Sequence, residues 1–129
     1  MERVTGIGGV FFKSEDPKKL QAWYVEHLGV PDEGGYVAFR WMEKDRPGEE
    51  GMTVWSTFPK DTKHYQPSSA PFMINYRVRD LDAMLVQLRA AGVETVGEPE
   101  SGPYGRFAWV MDPDGNKVEL WEPPPSETP

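Results

Sequence analysis

Cysteine is absent from this chain, which excludes disulfides, thiolate metal sites and cysteine nucleophiles together. Histidine is almost absent: His27 and His64 are the only two, too few for a site built on three imidazoles within one chain. Basic charge is the minority sign, with 14 Lys and Arg against 21 Asp and Glu and a formal net charge of −7. An acidic surface repels phosphate backbones and anionic lipid heads, so no nucleic-acid or membrane partner is expected. Nowhere do about 18 apolar residues run together, the length a bilayer requires. The first residues, Met1, Glu2, Arg3 and Val4, lack the basic and apolar regions of a secretory signal. Together these absences predict a soluble, cytoplasmic protein.

What the chain does contain is enough to fold. Its 129 residues suit one compact domain, and 38% hydrophobic with 12% aromatic residues supply the apolar surface that offsets ordering entropy. Thirteen Gly and thirteen Pro predict many turns and short elements. A helix is predicted from Asp16-Pro17, an N-cap followed by a first-turn proline. Leu20, Trp23, Tyr24 and Leu28 form its apolar stripe, and Gly29 supplies a left-handed stop. The same design returns 64 residues further on. There Asp80 is the cap, Leu81, Met84, Leu85 and Leu88 are the stripe, and Gly92 is the stop.

The repeat extends outward. Extended apolar segments precede each cap, at residues 9–13 and 73–77, and strand-like runs follow each helix, at 36–41, 52–58, 106–111 and 117–121. Asp112-Pro113-Asp114-Gly115 is a tight-turn signal; its counterpart at 45–51 is longer and more charged. A further short strand is expected near residues 93–96. Each half thus reads strand, helix, then two or three strands. Residues 59–71, rich in Pro, Ser, Lys and Asp, join the halves as a loop, and the tail at 123–129 is expected to fray.

With its paired modules, the Trp23-Tyr24…Leu28-Gly29 helix end and the closing Asp112-Pro113-Asp114-Gly115-Asn116…Glu119-Leu120, the chain resembles the vicinal oxygen chelate superfamily. That superfamily includes glyoxalase I, extradiol dioxygenases and bleomycin-resistance proteins. The resemblance implies an α+β fold in one glyoxalase-like domain over residues 1–129. Two tandem βαβββ modules would form a cupped mixed sheet with the helices outside. Module one spans about 5–58, the linker 59–71, module two about 72–122, and the tail follows. It also implies a small organic ligand inside the cup and a twofold homodimer, the first strand of each module being an exposed edge suited to pairing.

Metal-using members draw ligands from the first and last strand of each module. Seven residues before each cap stand Gly9 and Met73; the closing strand of the second half offers Glu119, and aligning 51–55 on 115–119 gives Trp55. Glycine has no side chain to offer, indole no lone pair, and a thioether suits copper(I) better than zinc, nickel or iron(II). No cofactor is therefore expected, with a divalent metal as the alternative. A site of two histidines and one carboxylate would need both His27, which reads as a helix residue, and His64, a linker residue able to swing toward a cavity.

Strand alternation puts Asn75 and Arg77 on the face of Met73, Phe11 and Lys13 on that of Gly9, Thr53 and Thr57 on that of Trp55, and Trp121 on that of Glu119. The ligand-binding residues expected are Phe11, Trp55, Met73, Asn75, Arg77 and Trp109, joined by Tyr104 and Arg106 from the loop after Pro103. The competing reading is that the aromatics simply pack a core. Glu119 is the catalytic candidate. Desolvated and free of cations, it could be a general base; bonded to Asn75, Arg77 or Lys13, it would be structural. Three functions follow: metal-independent binding without chemistry, a displaced-metal lyase, isomerase or dioxygenase using Glu119 and His64, or a metal-free enzyme. In the last, Glu119 takes a proton while Arg77 or Tyr104 stabilises the oxyanion.

Overall fold

The structure, a computed structural model, describes residues 1–34 and 36–125. Asp16 caps α1 (Pro17–Leu28) by accepting the Lys19 N–H at 3.2 Å, and Gly29, at φ 63°, ends the helix with its N–H on the Val25 carbonyl. Asp80 caps α2 (Leu81–Ala90) the same way, accepting from Ala83 N–H at 3.0 Å. Glu122 Oε1 satisfies the free Leu81 N–H at 2.8 Å. Both helices therefore begin where the carboxylate answers unpaired backbone donors.

Seven strands surround them: β1 (Gly6–Ser14), β2 (Val37–Met42), β3 (Glu50–Pro59), β4 (Phe72–Arg77), β5 (Glu100–Gly102), β6 (Gly105–Met111) and β7 (Lys117–Glu122). They form one mixed sheet in the order β2-β3-β1-β4-β7-β6-β5. β1 runs parallel to β3, and β4 parallel to β7, each with a hairpin partner outside. The modules join within one chain through the antiparallel β1–β4 pair. The strands expected to be free edges are thus paired with each other, and β2 and β5 are the edges instead. The strand expected near 93–96 is reduced to a bridge between Thr95 and Val110, and β5 forms a few residues later.

On the outer face, Leu81, Met84 and Leu85 of α2 pack on Ala108, Val110 and Leu120. Each such side chain contributes about 1.5–3 kcal/mol through burial. The helix α1 differs: none of its residues is buried, and Trp23 and Leu28 are 50% and 62% exposed. Only part of its stripe reaches the sheet, Tyr24 stacking 4.5 Å from Trp55. The linker is far from loose, because Tyr65 is fully buried with Met73 and Trp109 beside Phe11 and Phe58. Across the cup, Trp121 and Phe107 pack on Ala38, Met52 and Val54. Here the core reading holds, and the two arms of the sheet touch. The end of the tail, residues 126–129, lies outside the described residues.

Candidate functional site

Strand register aligns Val54, Gly9, Asn75, Glu119 and Trp109 in one row across β3, β1, β4, β7 and β6. Glu119, only 5% exposed, stands in this row between Asn75 and Trp109. Asn75 Nδ2 donates to its Oε1 at 2.6 Å and Trp109 Nε1 to its Oε2 at 2.8 Å. His64 Nε2 stands 3.2 Å from the same Oε2. Burying a carboxylate is costly without donors, and this one has them.

The linker delivers His64. Its ring stacks on Phe58 at 5.3 Å and 8° and meets Trp109 edge-on at 6.1 Å. Lys117 Nζ donates to the His64 carbonyl at 2.6 Å and lies over the Trp109 ring at 5.4 Å. Burial lowers the Lys117 pKa, opposed by the charges of Glu119 and Glu100. Lys13 Nζ lies over the Tyr65 ring at 5.1 Å. Burial, and then the Glu119 charge, push the Tyr65 hydroxyl well above the usual phenol range, so it remains a proton donor. Two buried polar atoms here, Tyr65 Oη and Asn75 Oδ1, have no hydrogen-bond partner among the described residues.

Further along the same face, Arg77 is sandwiched between Trp41 at 5.0 Å and Trp121 at 5.3 Å, with Glu43 at 3.3 Å. Phe107 extends the stack on Trp121 at 6.1 Å and 2°. Room for this layer comes from β1, whose register shifts between Ile7 and Gly9. A side chain at the intervening Gly8 would collide with Asn75 Oδ1, Trp121 and Arg77.

Of the residues expected to line the cup, Phe11, Met73, Asn75, Arg77, Trp109 and Glu119 share this face. Trp55 does not; it lies on the opposite face against Tyr24 and Phe12. Aligning the β2–β3 turn on the shorter Asp112 turn slips β3 by one residue, and a one-residue slip exchanges the faces; Val54 holds the inner position. Arg106 also points away, paired with Asp82 of α2 at 2.7 Å. Tyr104 is 77% exposed, and its carbonyl, not its phenol, meets the face by accepting from Trp121 Nε1 at 2.7 Å. His27 lies on α1 beside Glu26 and Trp23, away from Glu119. Tyr65 was missed; an aromatic after histidine in a polar linker was its only signal.

A divalent ion does not fit this donor set. Asn75 and Trp109 turn N–H groups, not lone pairs, toward Glu119, leaving one carboxylate and one imidazole. Among the described residues no three His, Asp or Glu side chains converge on a common point.

A two-module cupped mixed sheet with helices outside is the glyoxalase-like fold. A profile of the Glyoxalase/Bleomycin resistance protein/Dioxygenase superfamily matches residues 6–120, and the chain belongs to that superfamily. Methylmalonyl-CoA epimerase from Mycobacterium tuberculosis is 27% identical, with a TM-score of 0.61 over 95% of this chain and 90% of that one. A methylmalonyl-CoA epimerase in complex with methylmalonyl-CoA and NH4+ aligns at a TM-score of 0.70 and 16% identity, covering 98% and 100%. A superfamily member from Vibrio splendidus 12B01 aligns at 0.57 and 15%, covering 93% and 97%. No curated protein sequence matches. No helix among the described residues is long and apolar enough to cross a membrane.

Proposed function

We propose that this protein binds a small organic molecule where His64, Tyr65 and Glu119 meet, without a resident metal ion. The observation that carries this reading is the buried Tyr65 Oη, which has no hydrogen-bond partner among the described residues. An unmet buried polar group costs about 1–3 kcal/mol, and a ligand offering an acceptor to Tyr65 would recover that. Phe11, Phe58, Met73 and Trp109 supply the apolar wall. The linker covers this end through Tyr65, so access requires residues 59–71 to shift. A thermal-shift screen of small polar organic compounds tests the reading, with Tyr65→Phe as counter-screen. Hits that raise the wild-type melting temperature and lose most of that rise in Tyr65→Phe support it; hits indifferent to the substitution overturn it.

A second reading, an isomerase moving a proton, is favoured by the His64–Glu119 pair and by the likeness to methylmalonyl-CoA epimerase. In it Glu119 orients His64 rather than acting as the base, because three donors already surround its carboxylate. Arg77, held by Glu43 and two indoles, is no free oxyanion partner. His64→Gln would abolish turnover and spare binding; equal turnover would dismiss this reading.

The superfamily resemblance and the exposed apolar side chains of α1 and β2, Trp23, Leu28, Phe39 and Met42, support a homodimer.

A further inference from the structure

The charge around the candidate site runs against that of the molecule. The chain carries a formal net charge of −7, yet two ammonium groups stand beside His64, each seated on a ring that touches its own. Lys13 Nζ lies over Tyr65 and Lys117 Nζ over Trp109, and those rings lie 6.2 and 6.1 Å from the His64 ring. Among the described residues neither ammonium is within ion-pair distance of a carboxylate. Glu119 lies inside, bonded by Asn75, Trp109 and His64, and it and Glu100 act on Lys117 only through their longer-range charge. Glu15, two residues from Lys13, is paired with Lys60 at 3.2 Å.

A cation set on an aromatic face is held in position by the ring quadrupole, and here two such seats share one histidine. Burial already depresses the Lys117 pKa, the condition in which an arriving anion gains most from a partly desolvated ammonium. The Tyr65 hydroxyl, unpartnered and protonated, adds a neutral donor within the same cluster.

We infer that the ligand is an anion, a small molecule whose carboxylate or phosphate group is gripped by Lys13 and Lys117 beside His64. This rests on the binding reading above and narrows it to a chemical class. Arg106, paired with Asp82, and Tyr104, whose side chain is exposed, take no part.

Titration of 15N-labelled protein at fixed ionic strength tests it, with malonate, inorganic phosphate and the neutral N-methylacetamide as probes. Saturable shifts of the Trp109 indole N–H and the amides of residues 63–66 are expected with malonate, phosphate or both, the stronger naming the head group. Lys13→Met should weaken that binding about tenfold, as loss of one charged hydrogen bond would, while Lys13→Arg retains it. Lys117→Gln serves as the second variant, each first shown folded by its amide spectrum. Saturation by N-methylacetamide alone would overturn the anion inference and leave the binding reading standing. Anion binding unchanged in both lysine variants would overturn it too, and no saturation by any probe would remove both.

Discussion

Tyr65 is the residue where folding and binding pull apart. Its ring packs fully while its hydroxyl finds no partner among the described residues, so Tyr65→Phe should leave the free protein as stable or more stable, by up to about 1–3 kcal/mol. Ligand binding should weaken in the same variant, and denaturant melts with and without ligand separate the two effects. Glu119 is the opposite case. Glu119→Gln keeps the shape but turns an amide N–H toward donors that need acceptors, and it should cost about 1–3 kcal/mol in urea unfolding. The family resemblance singled out Glu119, strand alternation put Asn75 on the face of Met73, and Trp109 was expected to line the same cup. Neither signal could identify Tyr65, because nothing in a polar linker says which side chain will fold inward.

The elements were legible where local chemistry decides them. Asp16, Pro17 and Gly29 set the limits of α1, and Asp80 the start of α2, because caps act within a few residues. β3 was misread by one position because its register is fixed by pairing with β1, a contact distant in sequence, and by a longer turn before it. That is why Trp55 was expected inside and Val54 is found there. The bulge at Gly8 was equally invisible, and it makes a sharp expectation. Gly8→Ala drives a methyl into Asn75, Arg77 and Trp121 and should cost about 1–3 kcal/mol in a chemical melt.

The β6–β7 turn gives a pH-dependent case at the same scale. Asp112 accepts the Asn116 and Asp114 N–H groups and the Asn116 amide, and the Asn116 backbone bond comes first in holding its pKa below the ordinary 3.8. A depressed carboxylate favours the folded state above its unfolded value, and the advantage disappears as pH falls through the folded one. Asp112→Ala should therefore melt lower than wild type near neutrality. The gap should narrow as pH falls below the ordinary aspartate value of 3.8, as melts across that range would show.

For the whole molecule, the two-module layout was legible in the repeat and the mixed sheet in the family resemblance, whereas the contact between the two arms of the cup was not. Contact of Trp121 and Phe107 with Met52 and Val54 depends on how strongly the sheet curls, which no strand declares alone. Should two copies associate, the uncovered stripe of α1 and the β2 edge are the surfaces available. Trp23→Glu should then shift sedimentation equilibrium toward the monomer, and an unchanged mass would place the interface elsewhere.

The halves of this chain are continuous with each other through one strand pair, β1 against β4, and through the linker that crosses above it. Cleaving the exposed bond between Lys60 and Asp61 would sever the covalent tie but leave that pair, the Tyr65 anchor and the indole contact across the cup in place. Two polypeptides so produced should stay associated and, once parted, find each other again on mixing. The molecule would then behave as a pair of complementary fragments able to report on whatever brings them together.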